Sequence, residues 1–359
     1  MRGWSCWVAA IGLVVGCRFG FDPNGHSNND DASPAIDAVV PDALVGGACA
    51  MFTQLALGNE STCMLGANGT RWCAGANVGM GLATPSTLTR ANGEQDWTEL
   101  ALGSTQSVGL RGGSLWAWDS QSSPMLVDPA GDWQGLDGQI DAFCARKPDG
   151  TLVCGGTTIG GSWISASAGT NAFCGVKADH SLWCWGENLS NVLGQGVEPD
   201  GTIHATPAQV GTDNTWKDVQ VATGLACARK TDNTMWCWGG PNYTGTGFND
   251  TLGVPTQTSG RTNWIAYWVR WHHGCAMKDT HDVECWGTDE FGLEVVANQS
   301  TVGGSTGLGT SWDDFRSGGH HYCGQKGGLW YCWGNNDQGQ LGIGTHVTQR
   351  AQTAPLCSN

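Results

Sequence analysis

Residues 323–345, CGQKGGLWYCWGNNDQGQLGIGT, decide the fold. Two cysteines nine residues apart flank a glycine pair, Gly327-Gly328, and aromatic residues crowd the second cysteine. A Gly-Gly pair suits a two-residue hairpin loop, because both loop positions need positive φ. Counting outward from that loop, Cys323 and Cys332 form the fourth cross-strand pair, a non-hydrogen-bonded rung. On such a rung Cα atoms stand about 4.5 Å apart, close enough for a disulfide. The segment therefore predicts a β-hairpin with a disulfide across it.

The same unit recurs upstream as Cys63/Cys73, Cys144/Cys154, Cys174/Cys184, Cys227/Cys237 and Cys275/Cys285, each pair ten residues apart. In these pairs the midpoint falls in a three-residue loop ending in Gly69, Gly150, His180, Asn233 or His281. All five residues are of types (Gly, Asn, His) that tolerate the left-handed conformation that such a loop needs. Eleven residues before each first cysteine stands an aromatic residue: Phe52, Trp133, Trp163, Trp216, Trp264 or Trp312. A seventh unit starts at Trp97 and carries Val108 and Ala117 at the cysteine positions, in the matching context GLRGGSLWAW. Both cysteines are replaced together, as expected of partners in one bond. Seven repeats of about 44 residues are within the range of propeller blades. The expectation is an all-β, seven-bladed β-propeller over residues 48–359. Zinc is a weak rival, since metal-binding cysteines usually come as C-x₂₋₄-C.

Composition agrees. The chain has 359 residues, 56 Gly, 20 Trp and only 14 % charged residues. So much glycine disfavours helices and suits short strands joined by turns. A net charge of −15 disfavours nucleic-acid binding, which needs clustered Lys and Arg. Sixteen cysteines point to an oxidising compartment.

The first residues read as an address. Arg2 precedes an apolar run over residues 7–15, and Leu13-Val14-Val15-Gly16-Cys17 looks like a bacterial lipobox. The expectation is a signal peptide over residues 1–16, with Cys17 acylated after cleavage. Residues 17–47 then form an acidic tether too poor in large apolar groups to fold. No segment beyond it has 18 consecutive apolar residues. With Cys6 removed, Cys17 lipidated and six pairs formed, Cys49 and Cys357 remain, and a bond between them would close the ring of blades. This places the protein in a bacterial cell envelope, lipid-anchored at the outer membrane or cell surface.

Four repeats read Trp-Gly after the second cysteine: CWGENLSNVLGQG (184–196), CWGG (237–240), CWGTDEFG (285–292) and CWGNNDQGQLGIGT (332–345). The last, with N-x-x-G-Q-L-G-x-G from Asn336 to Gly344 and with Gly318-x-x-His321 upstream, resembles the regulator of chromosome condensation repeat. The resemblance covers residues 48–357 and is weakest in repeats two and three. It implies a seven-bladed propeller whose terminal segments meet in one blade, where Cys49 and Cys357 would sit. The eukaryotic founder is a nucleotide-exchange factor docked on chromatin through a basic arm. An acidic tether behind an export signal is no substitute for that arm. Exported bacterial relatives are typically binding proteins, some of which cap a β-lactamase with one propeller face.

Most tryptophans recur at fixed repeat positions and read as blade packing. Trp268 and Trp271 do not. Other repeats have Ala56, Ala101, Asp137, Ser167, Gln220 and Arg316 at the first of these positions, and Asn59, Ser104, Ile140, Thr170, Thr223 and Gly319 at the second. Arg270 between them replaces a usual Gly or Ala. With His272 of repeat six and His320 and Tyr322 of repeat seven, they form the candidate binding patch, since aromatic and Arg clusters make interface anchors. The competing reading is a local repacking of one blade. The pairs His272-His273 and His320-His321 could offer imidazoles to a metal ion, but His273 and His321 stand where the family repeat itself often has His. No hydrolase, metalloprotease, P-loop or dinucleotide fingerprint is present. The resulting expectation is a monomeric module that binds an envelope or extracellular protein, or a glycan, and acts neither as an enzyme nor on nucleic acid. No cofactor, metal or catalytic residue is assigned. A metal-assisted enzyme built on the paired histidines and a structural envelope component are the alternatives.

Overall fold

The computed structural model describes residues 52–80, 84–91, 94–129, 131–139, 142–198, 202–241, 244–247, 250–258, 262–271, 273–287, 311–350, 352 and 356. Seven antiparallel sheets follow one another along the chain, each beginning with its innermost strand. These first strands are Phe52–Leu57, Trp97–Ala101, Leu136–Gln139, Trp163–Ala168, Trp216–Val221, Trp264–Arg270 and Asp314–Ser317. Each touches the first strand of the next blade, and the last touches the first, so the strands enclose a central channel. That is the seven-bladed propeller. The expected ring-closing Cys49–Cys357 bond, the signal peptide, the lipidated Cys17 and the tether lie outside the described residues.

Hairpin geometry follows the residues that specify it. Six disulfides join the expected pairs, Cys63–Cys73, Cys144–Cys154, Cys174–Cys184, Cys227–Cys237, Cys275–Cys285 and Cys323–Cys332, with Cα separations of 4.0–4.1 Å. Val108 lies directly opposite Ala117, where a seventh bridge would stand. Gly112-Gly113 and Gly327-Gly328 all have positive φ. So do the loop-ending Gly69, Gly150, His180, Asn233 and His281.

The aromatic residue that opens each repeat packs across its own sheet. An added Cβ at Gly109, Gly175 or Gly324 would come within 2.5–2.7 Å of the Trp97, Trp163 or Trp312 ring. These glycines, each directly after the first cysteine position, are what let the indoles lie flat. Blade one combines the smaller Phe52 with Met64 at that place. Three residues after the first cysteine position, Lys147, Lys177 and Lys230 set their ammonium groups 4.8–5.1 Å from Trp133, Trp163 and Trp216. Arg111 lies over Trp97 in the same way, and Lys278 and Lys326 over Trp264 and Trp312. Much of the scarce basic charge thus stabilises blades on the hairpin face.

Tryptophans directly after the second cysteine position can work between blades. Trp118 and Trp238 donate their Nε1–H to Asn77 O (3.0 Å) and Val192 O (2.7 Å) in the long loop of the preceding blade. Asn336 organises that loop in blade seven: its Oδ1 accepts from Leu341 N at 2.9 Å, and its Nδ2 donates to Thr345 O. Asn188 and Leu193 repeat the arrangement in blade four. Fully buried Leu341 joins Met64 and Ala74 of blade one and Cys323 and Trp330 of blade seven in one apolar cluster, with Phe52 and Leu356 against it. Gln349 bridges Gly334, and Leu356 N donates to Trp330 O, so both residues lie against the outer strand of blade seven.

Candidate functional site

Within each blade the first strand ends in a loop leading to the second strand. These loops lie on the propeller face opposite the hairpins and ring the channel mouth. In most blades they are small and polar, and neighbours touch: Asn59 Nδ2 donates to Ser104, and the Thr170 and Thr223 hydroxyls bond at 2.7 Å. Blade six instead places Trp271 there. Its indole is half-buried and meets the His320 ring of blade seven edge-on, with centroids 5.3 Å apart. Two members of the sequence-derived patch are therefore neighbours at the rim. His272 lies outside the described residues.

Two other members belong elsewhere. Trp268 is only 6 % exposed and packs against Phe315 at 5.3 Å, between blades six and seven. Tyr322, 3 % exposed, lies 5.5 Å from the His273 ring and stacks on Trp333 at 6.2 Å. Neither is placed to touch a ligand; both are core. The reason is strand alternation, since Trp268 points into the sheet interface, whereas Trp271 lies past the strand end on the face. A signal for Tyr322 was available: Phe143 and Phe173 occupy the same repeat position.

The paired histidines divide similarly. His273 Nε2 bonds Ser317 Oγ at 3.0 Å, joining blades six and seven. His321 is fully buried, with Nε2 2.8 Å from Thr62 Oγ1 of blade one. The Thr62 hydroxyl itself donates to Gln340 O at 2.7 Å, so it accepts from the His321 Nε2–H. Burial lowers the His321 pKa to about 3, helped by the charges of His320 and Arg270, and the ring is neutral. These two imidazoles hold the blade seams. Among the described residues no group of three His, Cys, Asp or Glu is arranged to hold a metal ion.

Arg270 is the residue that the channel brings into prominence. It ends the first strand of blade six, at a level where the other blades carry Gly58, Gly103, Gln139, Gly169, Ala222 and Gly318. Its guanidinium senses the charges of Asp137, three blades away, and of Arg316 in blade seven. As the last residue of an inner strand, Arg270 stands at the channel wall. Burial lowers its pKa to about 10, an effect that Asp137 opposes and Arg316 reinforces. It remains charged at neutral pH.

One level below, the residue opposite the first cysteine position differs from blade to blade, and the difference has consequences. Asp137 Oδ1 accepts from Ala168 N of blade four at 3.1 Å and from Ser167 Oγ at 2.9 Å. Ser167 Oγ accepts from Val221 N of blade five, and Gln220 Oε1 from Val269 N of blade six, each at 3.0 Å. Three successive side chains thus each accept from an inner-strand amide of the following blade. Burial raises the Asp137 pKa against the pull of those hydrogen bonds. Trp268, Arg316, Ala56 and Ala101 occupy the same level in the other four blades, and none of these side chains can accept.

Sequence reading also missed Arg71. This fully buried guanidinium lies 5.4 Å from the Trp97 ring and 4.8 Å from the Trp118 ring, and it pairs with Glu94 at 2.8 Å. It is a seam residue between blades one and two. The signal lay in its position, where the other repeats carry Leu, Met, Val or, in repeat seven, Trp330.

Comparison with known proteins places the fold. No protein-family model and no curated protein matches the chain. Among solved structures, yeast RCC1 (Prp20) in complex with Kap60 is similar at a TM-score of 0.68 and 13 % identity, over 92 % of this chain and 90 % of that one. A second structure of Prp20p from Saccharomyces cerevisiae gives 0.51 and 15 %, over 85 % and 76 %. The ectodomain of the Physcomitrella patens receptor kinase CR4 gives 0.53 and 20 %, over 79 % and 73 %. The chain has a seven-bladed propeller fold similar to that of yeast RCC1 (Prp20).

Proposed function

We propose that this protein is an exported, lipid-anchored propeller that binds a protein partner through the loop face, at the rim formed by Trp271 and His320. The observation that carries this reading is Trp271 itself. It is a half-buried indole on a face where five of the six equivalent positions are Asn59, Ser104, Thr170, Thr223 and Gly319 and the sixth is Ile140, and such aromatics anchor interfaces. The hairpin face supports the choice, because its Lys and Arg side chains already lie on blade tryptophans. Solved propellers of this fold are consistent with a protein partner: yeast RCC1 was solved bound to Kap60, and Prp20p was studied for binding to Gsp1p and histones. Six disulfides fit an oxidising location. Hydrogen bonding of His273 and His321 across the blade seams weighs against a metal-assisted enzyme.

The test is capture from the producing cell's envelope and secreted proteins with the purified propeller and its Trp271→Ala variant. An interface anchor loses 2 kcal/mol or more of binding on truncation. The variant should therefore retain little partner while melting close to the wild type. Capture that is unchanged in a folded variant refutes the site. Cys17→Ser in the full-length chain should release the protein from membranes; if it does not, the lipid anchor is wrong.

A further inference from the structure

The channel wall is asymmetric in a way that points to a ligand group. Beside blades three, four and five, side-chain acceptors face inner-strand amides: Asp137 meets Ala168 N, Ser167 meets Val221 N and Gln220 meets Val269 N. The corresponding amides of blades seven, one, two and three belong to Ser317, Leu57, Leu102 and Gly138. The residues standing where an acceptor would be are Trp268, Arg316, Ala56 and Ala101. Around one side of the channel side-chain acceptors thus engage the next blade's inner-strand amides, and around the other side no side chain at that level can do so.

Arg270 stands just above this divide, at the mouth. Among the described residues its hydrogen bond is Nη1 to the carbonyl of Val269 at 3.0 Å, which engages one of five donors. No ion pair among the described residues includes Arg270, whereas Arg316 pairs with Asp314 on its own strand. Asp137, the carboxylate whose charge Arg270 senses, already accepts two hydrogen bonds at Oδ1. A partly buried guanidinium with donors to offer is a fork for a planar two-oxygen acceptor. The half-buried Trp271 at the next position flanks the approach.

We propose that the channel mouth beside blades six and seven receives one carboxylate of a partner protein, an Asp or Glu side chain or a chain terminus, with Arg270 as its principal donor. This rests on the reading of the loop face as the binding face and adds the chemistry of the contact. The protein's net charge of −15 shapes the partner: an acidic partner surface would be repelled, so the carboxylate projects from a neutral or basic one.

The experiment is a titration of the full disulfide-bonded chain, ¹⁵N-labelled at arginine and followed at the Arg270 Nε–H. The probes are the capped peptide Ac-Ala-Glu-Ala-NH₂, its Gln counterpart, acetate, and inorganic phosphate. Saturable shifts with the Glu peptide and none with the Gln peptide are expected. Arg270→Gln should weaken binding of the Glu peptide at least tenfold, the range for a charge-assisted hydrogen bond, read from the remaining arginine signals. Asp137→Asn keeps an acceptor for Ala168 N and removes the competing charge, so it should tighten binding several-fold. This second variant keeps the test valid if Arg270→Gln misfolds. Acetate or phosphate saturating while the Glu peptide does not would make this a small-anion site and overturn the assignment to a protein partner. Shifts that never saturate, or saturation untouched by both variants, overturn it altogether. The titration needs no captured partner, so it can fail while the Trp271-dependent capture succeeds, and the reverse.

Discussion

His321 ties the stability of the propeller to pH at the seam between its last and first blades. The ring is fully buried and neutral, donating from Nε2 to Thr62, and burial holds its pKa at about 3. In the unfolded chain the same imidazole titrates near 6.5. Above pH 6.5 neither state binds the proton. Between 6.5 and about 3 the unfolded chain binds it and the native one does not, so stability falls as pH falls. Each pH unit in that window removes about 1.4 kcal/mol, and the whole window on the order of 5 kcal/mol. That is a large fraction of the 5–15 kcal/mol typical of a folded protein. Buried carboxylates act in the other direction: burial raises the pKa of Glu99, Asp137 and Asp314, so the native state binds those protons first. A variant isolates the histidine. His321→Gln keeps an N–H donor for Thr62 and does not titrate. Urea unfolding at pH 7.5 and 4.5 should show the wild type losing about 2–3 kcal/mol more than the variant between the two conditions. Hydrogen exchange at pH 4.5 should quicken first in residues 61–66 and 321–326, the two strands that the bond joins. If wild type and variant lose stability in parallel, His321 is protonated in the native protein and the seam argument fails.

Three further outcomes test the packing. Arg71→Met should destabilise the chain by about 3 kcal/mol in thermal or urea unfolding, because Glu94 loses a buried partner; a neutral effect would mean that stacking between Trp97 and Trp118 carries the site without the charge. Leu341→Ala empties a fully buried position between blades one and seven and should cost about 2–5 kcal/mol, whereas Val347→Ala at an exposed position should cost well under 1. Peptide mapping under non-reducing conditions should recover six hairpin disulfides and one Cys49–Cys357 bond. Any pairing between different repeats would overturn the register, and free thiols at Cys49 and Cys357 would remove the ring clasp.

The parts of this protein legible in its sequence are those determined by contacts within one hairpin. The six cysteine pairs, the Val108–Ala117 replacement and the positive-φ residues at the loop ends all follow from turn geometry over about ten residues. That geometry depends on local chain stereochemistry and is the same wherever the hairpin docks. The repeat count then implied the ring. What the sequence could not determine is what meets across that ring. Trp268, Arg270 and Trp271 are near neighbours in sequence, yet one is core, one ends the channel-lining strand and one forms the rim. Asp137 and Arg270 influence each other only because seven blades close into a circle. Burial of Arg71 and His321 likewise depends on the neighbouring blade, whose surface no local pattern encodes. Local periodicity specifies which face of a strand is apolar, but the partner of each polar side chain is chosen only when the ring closes and buried polar groups must find one.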